Sequence, residues 1–262
     1  EQVGRAAQLL VPVGVVCPPL PMDAMEQLDP MVSGLRDAGA LGTASSLVAA
    51  FGTHINAEAP DLEPHTVHDY LRAFCLLQWW LQNAHEVDPT RRLTTYVDLY
   101  PEAYLECTLA DAPASRERLF DEYLRHNASR NRALDLLPLL SEIDADRVRA
   151  AIDDDRIKAR PAFHYRLPNC SIEREGWSLQ QPWNLWWVVE QLAQRSEDLD
   201  ELAAEFRARR RPLLGGAGPP RVPAPGRTPH HPRTGRGRRG RTGARGPGAT
   251  AQRGRARRAR AP

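Results

Sequence analysis

Two short segments put side chains that can bind anions or metals at every second position. They are Leu47 to Asn56 (LVAAFGTHIN) and Ala162 to Leu167 (AFHYRL), and both read as β-strands. Successive side chains of a strand point to opposite faces. Phe51, Thr53 and Ile55 therefore share one face of the first strand, and Gly52, His54 and Asn56 share the other. In the second, Phe163, Tyr165 and Leu167 oppose His164 and Arg166. If the two strands are neighbours, His54, Asn56, His164 and Arg166 converge on one surface. Imidazoles ligate metals, and a guanidinium suits phosphate or carboxylate. A glycine at position 52 lets a ligand or another backbone come close. The competing reading is that this face simply meets water.

Two arginine-bearing loops could serve the same chemistry. Arg91 and Arg92 precede Tyr96 and Asp98, while Arg130 and Arg132 lie in HNASRNRALD, read as the start of a helix. Free N–H groups at such a start favour an anion. One polyanion bridging these arginines would account for both loops; pairing with acids such as Asp135 would also account for them. His65 and His68 have the spacing of a metal pair on a helix, but a solvated helix face is the simpler reading. Trp183, Trp186 and Trp187 are read as core and interface packing. No glycine-rich phosphate loop, nucleophile elbow or paired-cysteine motif occurs, and the dinucleotide fold is disfavoured for the same reason.

The elements that must position these residues follow from apolar spacing. Leu9 to Val16 is a further strand candidate, with Pro12 confining it to an edge or a strand start. Met25, Leu28, Val32 and Leu35 form a helix stripe, Pro30 either starts or kinks that helix, and Gly39 stops it. Pro64 opens a long helix through Tyr70, Phe74, Leu77 and Leu81. Helices are expected at Ser115 to His126, from about Arg130, and after a cap at Asp144. A last helical region runs from Trp183 to about Arg207, broken near Ser196. The expected body is α+β, richer in helix than in strand.

Charge divides the chain in two. Residues 209–262 hold 16 Arg, 11 Gly and 9 Pro and no acid, whereas residues 1–208 hold 19 basic and 33 acidic side chains. The domain is accordingly placed at 1–208. The tail has almost nothing to bury against a backbone ordering cost of about 1–2 kcal/mol per residue, so it is read as disordered. Arg-Gly-rich tails can bind nucleic acid, but this one lacks an aromatic residue for stacking, and nucleic acid is the disfavoured partner. The 34 arginines stand against one lysine, Lys158, as a GC-rich coding sequence would give. No apolar run reaches the roughly 20 residues needed to cross a bilayer. Four dispersed cysteines and no signal-type start point to a reduced, cytoplasmic protein.

The order LVPVGVVCPPL, LRDAGALGT, FGTHINAEAPDL, YLRAFCLLQWWL, DPTRRLTTYVDLYP, RNRALDLLPLL, KARPAFHYRLPNC and WNLWWVVEQLA resembles the bacterial amidoligase family, from Leu9 to Phe206. The resemblance implies a glutamine-synthetase-like fold, with a curved antiparallel sheet packed by helices. It implies ATP-dependent joining of a carboxylate to an amine through an acyl phosphate, with magnesium. Carried onto this chain, the resemblance makes His54 a metal ligand and gives Asn56, Arg91, Arg92 and Arg130 to the nucleotide. Arg166, His164 and Arg132 then become the catalytic set. Substrates would be small molecules or peptides, with a glutaminase-type partner as one ammonia source. Two departures stand out. Relatives begin upstream with a strand of paired glutamates, and they read Val-Pro-Val-Glu where this chain has Val11-Pro12-Val13-Gly14. The sequence is therefore read as N-terminally incomplete. The alternative functions are an inactive binding protein that keeps the fold and nucleic-acid binding by the tail.

Overall fold

A computed structural model describes residues 14–45, 51–93, 97–110 and 115–210. At its centre lies a small antiparallel sheet of three strands, β1 (Ile55–Glu58), β2 (Leu134–Asp135) and β3 (Ala162–Tyr165), in the order β1-β3-β2. Asn56 pairs with His164 across β1 and β3, and Asp135 pairs with His164 across β2 and β3. Apolar residues at alternate positions put Ile55, Ala57, Leu134, Phe163 and Tyr165 on one face, all buried. Asn56, Asp135 and His164 consequently share the other face.

Nine α-helices occur among the described residues: α1 (Asp29–Asp37), α2 (Pro64–Ala84), α3 (Pro89–Leu93), α4 (Glu102–Thr108), α5 (Arg116–Asn127), α6 (Leu137–Ile143), α7 (Ala145–Ala151), α8 (Gln180–Ala193) and α9 (Ser196–Arg210). Helix α2 begins on Pro64, whose missing N–H costs nothing in the first turn. Its ring Tyr70 stacks on Phe163 at 4.7 Å, and Trp186 of α8 lies 5.2 Å from Tyr165. Burying side chains of this size contributes about 1.5–3 kcal/mol each, so the apolar sheet face is what fixes the sheet against α2 and α8. Pro30 starts α1, and Gly39 just beyond it adopts a φ of +83°. Ser115 and Asp144 cap α5 and α7 by accepting from the amides of Arg118 and Arg147.

Several expectations need correction. Residues 9–13 and 47–50 lie outside the described residues, and Gly14 to Val16 form no strand. The ladder of β1 starts only at Ile55, eight residues after the expected start at Leu47, and runs on to Glu58. No helix starts at Arg130; residues 128–133 form a loop leading into β2, and α6 starts at Leu137. The stretch from Asp88 to Tyr104, expected as a loop, holds the short helix α3 and the start of α4. Helix α9 ends at Arg210, two residues past the expected limit of the domain, and the rest of the basic tail lies outside the described residues. Trp186 is fully buried, but Trp187 is 51% exposed, because adjacent helix positions face different ways.

The segment before β1 is stitched to the segment after β3. Thr43 donates its amide to Cys170 O and accepts from Cys170 N at its hydroxyl. A Cβ at Gly42 would lie 2.2 Å from Cys170 O and 2.1 Å from the Glu173 carboxylate. A side-chain tip can move aside, but the carbonyl cannot without disturbing the stitch. Gly42→Ala is expected to destabilise the fold by about 1–3 kcal/mol, the usual cost of overpacking. Chemical denaturation measures it, and an unchanged midpoint would refute this packing.

Candidate functional site

The polar face of the sheet gathers more than the sequence pattern foretells. His54 lies just before β1 with its ring 5.1 Å from that of His164, edge to face. Asn56 Oδ1 is 2.9 Å from His164 Nδ1. Arg160, in the segment leading into β3, donates from Nε to Asn56 Oδ1 at 3.0 Å and from its terminal nitrogen to His164 Nδ1. Arg166 follows β3 and reaches Asp135 of β2 at 2.7 Å, with both side chains buried. Asp135 also accepts from the Leu137 amide at 3.1 Å, which ties it to the start of α6. The four residues expected to converge are therefore brought together, and Arg160 and Asp135 join them.

Burial and nearby guanidinium charge set the electrostatics of this face. The crowd of protein atoms around His54 and then the charges of Arg166, Arg91 and Arg160 push its pKa down to about 4, although part of the ring is exposed. His164 falls further, to about 2, through burial first and then Arg166, His54, Arg160 and Arg130. Both imidazoles are neutral at neutral pH. Burial raises the Asp135 carboxyl, and Arg166 opposes that rise. Arg130, in the loop before β2, is close enough to act on His164, Asp135 and Arg160, and its ion pair with Asp154 is 3.8 Å long. Arg130, Arg160 and Arg166 thus face one buried carboxylate. Two nitrogens here, His164 Nε2 and Arg166 Nε, are buried with no hydrogen-bond partner among the described residues.

The other arginines do different work. Arg91 is buried and donates to the carbonyls of Arg166, Leu167 and Pro168 and to Asn169 Oδ1, at 2.6–3.2 Å. Burial lowers its pKa to about 10, so it stays protonated. Gly52 is small for its sake: a Cβ there would lie 2.6 Å from the Arg91 guanidinium and 2.5 Å from Pro168 O. The close approach that Gly52 allows is made by the protein itself. Arg92 donates to Val87 O beyond the end of α2, and Arg132 donates to Leu99 O and His126 O. Without a helix start at Arg130, the anion site expected from a dipole there does not form. His65 is exposed, but His68 is buried and its Nε2 lies 3.1 Å from Thr108 O, which corrects the solvated-face reading for that residue.

Arg160 was legible in the sequence. It continues the alternation of Ala162, His164 and Arg166, but Pro161 hides the continuity. Asp135 sits in a two-residue strand, too short to show a period. A separate cleft of 270 Å³, lined in part by Asp61, His65, Asp69 and Tyr70, shares no residue with this face.

The donor set of this face suits an anionic oxygen better than it suits magnesium. Guanidiniums and an imidazole N–H are phosphate donors. Magnesium takes oxygen ligands, yet Asp135 and Asn56 already spend their oxygens on Arg166, Leu137 and Arg160. Among the described residues, no three His, Cys, Asp or Glu side chains gather as a metal site. Likewise, no helix among them is long and apolar enough to cross a membrane.

Neither the curated proteins nor the solved structures gave a match. A family model described as "Putative amidoligase enzyme" matches residues 1–188, which include every residue of the face described above. The chain belongs to that amidoligase family.

Proposed function

We propose that the polar sheet face binds the triphosphate of ATP and beside it a carboxylate, and that the chain joins this carboxylate to an amine. The carboxylate oxygen takes the γ-phosphoryl group and ADP leaves. The amine nitrogen then attacks the acyl carbon, phosphate leaves, and the amine gives up its proton. Arg130, Arg160 and Arg166 stand where charge grows on the phosphoryl oxygens, and His164 Nε2 offers a neutral N–H to one of them. Preset donors of this kind act strongly in a partly buried site. In this reading the three strands belong to a curved sheet of the glutamine-synthetase type, the substrates are small molecules or peptides, and a glutaminase-type partner is one source of ammonia. The observation that carries the reading is the excess of guanidinium over carboxylate on a face within the family-matched region.

The test is ADP formation that requires both a carboxylate and an amine. Arg130→Ala removes one weakly paired guanidinium and should lower turnover on the order of 10²-fold without unfolding the chain. Turnover unchanged in that variant would overturn the assignment. A second reading, a non-catalytic anion-binding protein, is favoured by the lack of an oxygen ligand set for magnesium among the described residues. It requires ATP binding with no ADP formed under any pairing of substrates.

A further inference from the structure

The geometry points to Arg160 as the positioning residue that locks His164 in one tautomer, with its ring proton on Nε2. A guanidinium has only donors. Its terminal nitrogen on His164 Nδ1 therefore makes Nδ1 an acceptor. Asn56 Oδ1 is only 2.9 Å from the same nitrogen, but it too receives an Arg160 proton, from Nε at 3.0 Å. One rigid fork thus serves two acceptors that would otherwise have to share a proton carried by the imidazole. With Nδ1 occupied, the proton of the neutral ring is left on Nε2.

The consequence lies at that second nitrogen. Nε2 is buried and has no acceptor among the described residues. A buried donor left without a partner is costly, so the site is built with a hydrogen bond waiting to be made. The groups facing the ring are His54 before β1, Asn56 of β1, Asp135 of β2, Arg130 of the preceding loop, and Arg160 and Arg166 flanking β3. Most of these are cationic or neutral, so the missing acceptor is an anionic oxygen. This inference rests on the ligase reading for the identity of that oxygen, though not for the lock itself.

Long-range ¹H–¹⁵N spectra of the full chain labelled at histidine nitrogens test it, with His164→Gln assigning the resonances. In the unaltered chain His164 should show Nδ1 unprotonated and Nε2 protonated from about pH 8 to about pH 6. Arg160→Gln frees Nδ1 to donate to Asn56 Oδ1, so the Nδ1–H tautomer should appear. Arg160→Lys keeps the charge but not the fork and should restore the single tautomer only in part. An Nδ1 proton in the unaltered chain overturns the lock, and so does a tautomer indifferent to Arg160→Gln. Inorganic tripolyphosphate separates the two claims. If it shifts His164 Nε2, both the lock and the ligase reading gain. If the lock holds and tripolyphosphate leaves every resonance unmoved, the lock stands and the ligase reading fails.

Discussion

Replacing Arg166 with alanine should lower the unfolding free energy by about 3–5 kcal/mol, as removal of one partner from a buried ion pair does. Asp135 is almost wholly buried and meets Arg166 at 2.7 Å. Without the guanidinium, its carboxylate keeps the Leu137 amide, at 3.1 Å, as its one hydrogen-bond donor among the described residues. Since a domain of this size holds about 5–15 kcal/mol in total, much of the population could unfold on mild heating. Loss of activity in Arg166→Ala would then report on folding as much as on chemistry, although the side chain sits in the candidate site. A paired replacement separates the two. Arg166→Met with Asp135→Leu removes both charges and should recover most of the lost stability, because the desolvation of both ions is removed as well. Urea denaturation measures both variants. A loss under about 1 kcal/mol for Arg166→Ala would mean that the pair is not the buried contact described.

Acid should begin to destabilise the chain below about pH 6.5, before most carboxylates are protonated. Burial, reinforced by Arg72, pushes His68 down to about 3. Burial, reinforced by Arg91, does the same to His85, and His164 lies at about 2. An unfolded imidazole takes its proton near pH 6.5. Below that pH the unfolded chain binds protons that the folded chain refuses, so stability is complete above about pH 6.5 and declines as pH falls toward the folded values. Each ring costs about 1.4 kcal/mol per pH unit, and three together cost roughly 4 kcal/mol per unit. Asp135 has the opposite sign, since its raised pKa makes the folded state take a proton first, but it is one group against three. A stability of about 5–15 kcal/mol is then exhausted roughly between pH 5.5 and pH 3. Unfolding free energies at pH 7, 6 and 5 give the slope directly; a flat profile over that range would show that these rings are not held neutral by the fold.

The sequence makes the polar face legible because a strand needs only its alternation to assign faces. His54, Asn56, His164 and Arg166 follow from period two, and β1 and β3 prove to be direct neighbours. It could not show where each arginine goes. Arg91 is anchored by carbonyls of residues 166–168, and Arg132 by those of Leu99 and His126. Backbone carbonyls carry no signature in residue type, so a guanidinium that reaches them looks identical to one that awaits a ligand. Arg130, two positions from Arg132 in the same loop, instead pairs with Asp154 at 3.8 Å. His68 shows the same limit: helix spacing places it beside His65, but only the packing of α4 against α2 buries it, as Thr108 O comes within 3.1 Å of its ring.

The most direct test is to titrate ATP into the histidine-labelled chain and follow all ring nitrogens. Binding on the sheet face should move His54 and His164, weaken as salt rises, and fall sharply in Arg130→Ala. Shifts confined to His65, beside the separate cleft at the start of α2, would place the nucleotide elsewhere and contradict the site proposed here.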